Sequence, residues 1–336
     1  MRRSLRATRI PQNSSNMSQT VYLGIDTSNY TTSVAIAGED GEILANLKAP
    51  LPVKVGERGL RQSDAVFSHV KNLPTLMERA EAILNGHTVA AVGYSARPRD
   101  AADSYMPCFL AGQVSASSLA AGLHVPLYAF SHQNGHVMAA AYSSGASDTL
   151  LTAPFGAFHV SGGTTEMLYV EPNGTDFSIT LIGETADINA GQLIDRVGVH
   201  MGLNFPCGIQ TELLANKNTK KIPKPRIHVK GFDCNLSGAE NLAVKLYDET
   251  GDASLVSAYV LETVGETLIR MTEALTERYP GLPLLYAGGV MSNRILQKKI
   301  GSRFSAYFSE PQYSADNAAG VALLTRKRYL SSVTDK

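Results

Sequence analysis

Tryptophan is absent from the 336 residues, and cysteine is nearly so: Cys108, Cys207 and Cys234 are odd in number, scattered and without Cys-x-x-Cys spacing. That excludes a disulfide framework and a zinc-finger site, and it suits a reducing compartment, so the expected location is the cytoplasm. Net charge is missing too, because 30 Lys+Arg balance 30 Asp+Glu. No global field draws the chain to nucleic acid or anionic lipid, and any nucleic-acid contact must use a local patch or a partner subunit. No apolar run approaches the roughly 20 residues that span a bilayer, so no membrane role is expected. What is present is 44 % hydrophobic residues, 18 % charged residues and 29 glycines, an ordinary balance for a folded α/β protein and too apolar for disorder. The length exceeds the ~250 residues at which single cores stop growing, which asks for two packed lobes.

Residues 1–20 carry Arg2, Arg3, Arg6 and Arg9, several serines and no acid. Organelle transit peptides share that composition. The patterned sequence starts at Val21, just after Met17, so these residues are expected to be a disordered extension. Residues 21–25 and 31–37 read as two strands of a hairpin with a polar tip, and residues 42–49 as a third strand. A helix is expected from Ser63, with Pro74 kinking or interrupting it. Strands follow at 89–95 and 125–130, with helices at 111–122 and 132–142. From residue 153 the pattern begins again: a strand to Val160, a polar tip over 161–165, and a strand over 167–170. Helices are expected near 190–201, 237–248, 254–278 and 315–330, with a strand at 284–287. Two hairpins with phosphate-sized polar tips, each heading an α/β half, suggest a duplicated domain with a cleft between the lobes.

Three motifs carry chemistry. His132 and His136 lie four apart, one turn or ~5.4 Å along a helix, close enough to share one ion if a third ligand is present. Equally, they are ordinary histidines behind a Ser131 cap. Asn134 and Gly135 weigh toward the ion, since both are poor helix formers with no packing reason in the sequence. Gln133 stands where a zinc protease needs its Glu, which argues against proteolysis. Ser161-Gly162-Gly163-Thr164-Thr165 can expose backbone N–H groups to a phosphate, or can simply turn a hairpin. Ala287-Gly288-Gly289-Val290, leaving a strand and entering a helix near Ser292 and Asn293, reads as a nucleotide turn or a tight corner.

Taken in order, Gly24-Ile25-Asp26-Thr27-Ser28, His132-Gln133-Asn134-Gly135-His136, Val160 to Thr165, Gly183-Glu184-Thr185, Asp187 to Arg196, Phe205-Pro206-Cys207-Gly208, Ser237-Gly238, Ala287 to Val290 and Ala315-Asp316-Asn317 resemble the TsaD/Gcp family. These are the tRNA N6-adenosine threonylcarbamoyltransferases, formerly described as O-sialoglycoprotein endopeptidases. The resemblance covers about residues 21–328. It implies the two-lobed actin-like ATPase fold of actin, Hsp70 and sugar kinases, an α/β architecture with duplicated mixed-sheet lobes and an interlobe cleft. One TsaD-like domain is expected over 21–330, with lobe I at about 21–130 plus the C-terminal helix at 314–330, and lobe II at about 131–313.

The resemblance further implies that His132, His136 and Asp316 bind one divalent ion, Fe2+ or Zn2+, as this mixed N/O set suits either. Val160, Ser161, Gly162 and Gly163 would contact the adenylate and the reacting group. Asp195 would hold a ribose hydroxyl, with Gly208 and Asn293 completing the pocket. The implied substrates are threonylcarbamoyl-AMP, with ATP as a further nucleotide, and the adenosine beside the anticodon of tRNA. The implied partners are TsaB- and TsaE-type or related subunits, or a second copy docked through lobe I helices. No catalytic group is assigned; Asp26 and Ser161 are candidates. The basic stretch 216–230 would fit a tRNA-facing role, or is a solvated loop.

Four departures from the family pattern bear on catalysis. Tyr30 and Thr31 replace an acidic pair, Arg97-Pro98-Arg99 replaces a Gly-Pro-Gly segment, Thr164 replaces a His, and Glu240 replaces a Lys. Arg97 and Arg99 are expected either to contact phosphate or to form a salt-bridged loop. The alternative to a transferase is therefore an altered paralogue that binds adenine nucleotide and metal as a regulatory or assembly partner. A small-metabolite kinase with Asp26 as base is the remaining reading.

Overall fold

The computed structural model describes residues 19–28, 30–52, 60–101, 103–314 and 316–334, so the expected N-terminal extension lies almost wholly outside the described residues. Eight of the nine residues of β1 (Thr20–Ser28) are buried, which places this strand at the centre of a sheet covered on both faces. β2 (Thr31–Gly38) and β3 (Ile43–Pro50) continue from it as an antiparallel meander. On its other side β4 (Thr88–Arg97) and β5 (Leu127–Ser131) add in parallel, giving the order β3-β2-β1-β4-β5. The second half repeats this plan. β6 (Phe155–Val160) is its central strand, β7 (Thr165–Asn173) and β8 (Asp176–Glu184) form the meander, and a separate ribbon pairs β9 (His228–Lys230) with β10 (Asp233–Asn235). β11 (Leu284–Ala287) and β12 (Ala306–Phe308) then add in parallel, and the order β12-β11-β6-β7-β8 mirrors the first sheet. The expected duplication is therefore present in the topology.

Helices make the remaining layers. α1 (Gln62–Leu84) and α2 (Phe109–Leu123) cover the outer face of the first sheet, where Leu23, Ile25, Leu73, Leu76 and Ala116 form one core. α3 (His132–Ser143) is followed by the single turn α4 (Ser147–Leu150). α5 (Ala190–His200), α6 (Gly208–Ala215), α7 (Ser237–Thr250), α8 (Ala253–Arg278) and α9 (Arg294–Gly301) belong to the second half. Of these, α5, α7, α8 and α9 pack on the outer face of the second sheet. After the turn α10 (Pro311–Ser314), α11 (Ala319–Thr334) runs back to the first half. One core joins Tyr22 and Phe130 of the first sheet, Met138 of α3, Val321 and Leu324 of α11, and Phe155 and Leu285 of the second sheet. The paired helices α3 and α11 thus lie between the two sheets.

Several expectations shift. α1 is continuous through Pro74; the helix is held by its buried face, His69, Leu73, Leu76 and Ala80. The last helix starts at Ala319 because the Asn317 side chain accepts from the Ala319 N–H at 3.0 Å, which leaves Asp316 outside the helix. The apolar pattern gives no warning of β8 or β12. Leu181 of β8 is exposed, and β12 is only three residues long.

Candidate functional site

β5 delivers the chain into α3, where Ser131 caps the helix: its Oγ accepts from the Asn134 N–H at 3.2 Å. His132 is therefore the first helical residue, and His136 sits one turn later on the same face. Their Nε2 atoms are 2.8 Å apart, and Asp316 Oδ1 lies 3.2 Å from His136 Nε2 and 3.6 Å from His132 Nε2. The three ligand atoms fall within 4.8 Å of one another, the expected third donor having arrived 180 residues later in the chain. Two imidazole nitrogens and one carboxylate suit a divalent transition metal with open coordination positions.

The packing reason for Asn134 and Gly135, which the sequence does not show, is visible here. Gly135 lies where α3 crosses α11, and a Cβ on Gly320 would sit 1.8 Å from the Gly135 carbonyl oxygen. Asn134, 2 % exposed, donates to Asp100 Oδ2 at 2.6 Å and accepts from the Phe177 N–H at 2.8 Å. The two residues hold α3 in place, so they do not themselves argue for an ion.

Asp26, at the end of β1, is fully buried, and its Oδ2 lies 3.0 Å from His132 Nδ1. That approach is an ion-pair contact, and neither carboxylate oxygen has a hydrogen-bond partner among the described residues. The carboxylate therefore lies behind His132 and orients that ring, with Nδ1 toward Asp26 and Nε2 toward the other two ligands. Burial works against a charged His132, but Asp26 and Asp316 outweigh it and lift its pKa to about 10. Burial would raise Asp316, yet the two histidines hold it well below the usual carboxylate range. His159, which no motif singled out, has its ring 5.3 Å from that of His136 and tilted against it, and burial followed by the charge of His136 pushes its pKa down to about 3. Its only sequence signal was a position two residues before the Ser161 loop.

From His159 the same strand runs through Val160 into that loop. Val160 is fully buried, and its carbonyl approaches so closely that a Cβ on Gly288 would lie 2.2 Å from it; Gly288 has φ +100°. Ser161 Oγ accepts from the Gly163 and Thr164 N–H groups, both at 3.1 Å, and lies 2.8 Å from Thr164 Oγ1. Gly162 and Gly163 are exposed, with open space where a Cβ would stand. Beyond them opens a cavity of about 410 Å³ lined by Gly162, Asp195, Gly208 and Asn293. That volume is in the range of small-molecule sites.

α5 positions Asp195. Its start is fixed by a capping box between Asn189 and Gln192. Asp195 Oδ1 accepts from the Cys207 N–H at 2.8 Å, which ties α5 to the turn before Gly208, and burial raises the Asp195 pKa despite that hydrogen bond. Asn293 uses Oδ1 to cap α9, accepting from the Ile295 and Leu296 N–H groups at 3.0 and 3.1 Å. The cavity and the His/His/Asp group lie at opposite ends of residues 159–162.

The departures are also placed. Arg99 pairs with Glu166 of β7, and Arg97 with Asp100, whose other oxygen accepts from Ser131 Oγ at 2.8 Å. The salt-bridged loop is the outcome observed, and it links the loop after the first sheet to the second sheet. Tyr30 is 43 % exposed at the first hairpin tip, and Thr31 pairs with Ser28 across it; Asn29 lies outside the described residues. Glu240 binds Arg196 at 3.2 Å. The three cysteines are free and buried, and no described helix is long and apolar enough to cross a membrane.

Comparison with known proteins adds two findings. The sequence model of TsaD, tRNA N6-adenosine threonylcarbamoyltransferase, matches residues 58–323. Among solved structures, the fold is similar to component A of the (R)-2-hydroxyglutaryl-CoA dehydratase of Acidaminococcus fermentans, at 16 % identity over 94 % of this chain and 100 % of that one, with a TM-score of 0.52. It is also similar to HypF of T. kodakarensis, at 12 % identity over 94 % of this chain and 48 % of that one, TM-score 0.54. A ROK family glucokinase from Streptomyces griseus, solved with glucose and AMPPNP, matches at 13 % identity over 92 % of this chain and 100 % of its own, TM-score 0.51. At such identities these structures establish the fold alone, which is the actin-like ATPase fold implied by the resemblance to the TsaD family.

Proposed function

Because the chain belongs to the TsaD family, we propose that it transfers the threonylcarbamoyl group of threonylcarbamoyl-AMP to the N6 amine of the adenosine next to the anticodon in tRNA. The supporting observation is the arrangement along residues 159–162, with a His/His/Asp group at one end and a nucleotide-sized cavity at the other. The N6 nitrogen attacks the carbamoyl carbonyl; a C–N bond forms, the C–O bond to the AMP phosphate breaks, and AMP leaves as the anion while N6 loses a proton. His132, His136 and Asp316 would hold a divalent ion, Fe2+ or Zn2+, which when bound would supply Lewis-acid polarisation. Asp195 holds a ribose hydroxyl, and Gly208 and Asn293 bound the nucleoside. Val160, Ser161, Gly162 and Gly163 shape the wall against which the phosphate and the reacting carbonyl lie, the glycines permitting close approach of the backbone. The reaction belongs in the cytoplasm.

Asp26 is here a positioning residue, since it touches His132 and is fully buried. Outer carboxylates of this kind fix the tautomer of a ligating histidine, and their loss typically weakens metal binding 10–100-fold. Asp26→Asn is expected to lower Zn2+ affinity by about that factor, read by competition with a chelator; unchanged affinity would remove this role.

A second reading is favoured by the altered hairpin tip, where Tyr30 and Thr31 stand in place of an acidic pair. In it the chain binds nucleotide and metal and acts as a regulatory or assembly partner. Transfer of labelled threonylcarbamoyl to unmodified tRNA, with TsaB- and TsaE-type subunits present, decides between them. Product dependent on His136 supports the transferase; AMP and metal binding without product supports the second reading.

Partner docking fits the outer face of α1 and α2, where Val70, Leu110 and Val114 are 57, 43 and 66 % exposed around an apolar groove of about 450 Å³. Exposed apolar patches of this kind mark association surfaces. Val114→Glu is expected to abolish assembly with a related subunit or a second copy in sedimentation experiments while leaving the melting temperature nearly unchanged.

A further inference from the structure

The 15 residues from 216 to 230 contain Lys217, Lys220, Lys221, Lys224, Arg226 and Lys230 and no acid, in a chain whose charges balance only as a whole. All six cations are exposed. Lys220 is held by Asp252 at 2.6 Å, and the other five make no ion pair among the described residues. The segment carrying this surplus begins where α6 ends and runs on to β9, and α6 starts at the cavity, since Gly208 and Ile209 are part of its wall. Between the two runs an apolar strip: Phe205 is 74 % exposed, Ile209 78 % and Leu213 58 %, the last two one turn apart on α6. The eight residues of α6 span about 12 Å, so the strip leads from the cavity mouth to the cations within two or three nucleotide lengths.

We propose that this face of the second half docks an unpaired segment of the RNA acceptor, with bases resting on Phe205, Ile209 and Leu213 and phosphates on the lysines that follow. The inference rests on the transferase reading and adds to it the surface by which RNA reaches the cavity. Charge decides the occupant. An apolar strip alone would suit a protein, but a 15-residue segment with six exposed cations and no acid, starting where the strip ends, suits a polyanion, and the chain has no net field to attract one otherwise. Stacking on exposed apolar and aromatic side chains beside a basic track is how unpaired nucleic acid is held, and an adenosine can offer its N6 amine only when unpaired.

The test is binding of the full chain to an unmodified tRNA anticodon stem-loop, measured by fluorescence anisotropy over a salt series, with a duplex of equal length as comparison. The wild type is expected to prefer the stem-loop. Lys217→Glu, Lys221→Glu and Lys224→Glu together are expected to weaken binding more than about tenfold and to flatten the slope of log affinity against log salt by about two, as three lost phosphate contacts require. Leu213→Ser should weaken binding several-fold with the slope unchanged. AMP affinity should stay at the wild-type level in both variants. Wild-type RNA affinity in the variants, or no salt-dependent binding by the wild type, overturns the inference; so does loss of a protein subunit with RNA binding intact, which would make the face a protein interface. Stem-loop binding through this face without transfer would sink the transferase reading alone, whereas transfer at wild-type kcat/KM by the triple variant would sink only the docking surface.

Discussion

Gly320→Ala is expected to destabilise the protein by about 3 kcal/mol or more, the upper end for overpacked cores. The added methyl would stand 1.8 Å from the Gly135 carbonyl oxygen and 2.9 Å from the Ala139 backbone nitrogen. Neither contact is with a flexible side chain, so α3 and α11 must move apart as whole helices. Both helices lie between the sheets in a core that includes Tyr22, Phe130, Phe155 and Leu285, and separating them opens that core. The same movement carries Asp316 away from His132 and His136, because α11 begins three residues after Asp316 and α3 bears both histidines. Metal affinity should therefore fall with stability. Gly122→Ala is the control, since nothing lies within 4 Å of its added Cβ and alanine favours a helix. Urea midpoints of the two variants, with Zn2+ titrations, give the answer; a Gly320→Ala protein within about 0.5 kcal/mol of wild type, the range of an ordinary surface change, would show that the crossing is looser than described.

His136→Ala should abolish transfer, with kcat/KM lower by about a thousandfold or more, since a metal that polarises a carbonyl supplies several kcal/mol and each 1.36 kcal/mol is tenfold in rate. The variant should lose stoichiometric metal while retaining AMP affinity, because His136 is not among the residues that line the cavity. Asp316→Ala should behave alike. It also removes the partner that helps hold a proton on His132, so the His132 pKa should fall from about 10 in the metal-free protein, an effect readable by NMR titration. Undiminished transfer by metal-free His136→Ala would exclude a role for the ion in the reaction.

Local patterns in the chain carry much of this. Period-2 runs around polar tips mark both hairpins, and a four-residue spacing behind a serine cap suffices to put His132 and His136 on one helix face, because helix and strand periodicities are properties of the backbone. The glycines of residues 161–163 and 288–289 are likewise visible as places of close approach. Asn134 and Gly135 show the limit of such reading: they look out of place in a helix, and their reason lies in Gly320 and Phe177, which no window of the sequence brings near.

The sequence by itself thus determined the repeated α/β plan and the pair of histidines, which depend on short-range order along the chain, while its resemblance to the TsaD family pointed to Asp316 and to the residues that border the cavity. Only the tertiary structure decided how closely Asp316 approaches the two histidines, that Asp26 stands behind His132, that Arg99 closes onto Glu166, and that an apolar strip runs from the cavity toward the basic segment. Those relations depend on how two sheets and the helices between them pack. Packing of close-fitted surfaces sets distances between residues far apart in sequence, which no local periodicity encodes.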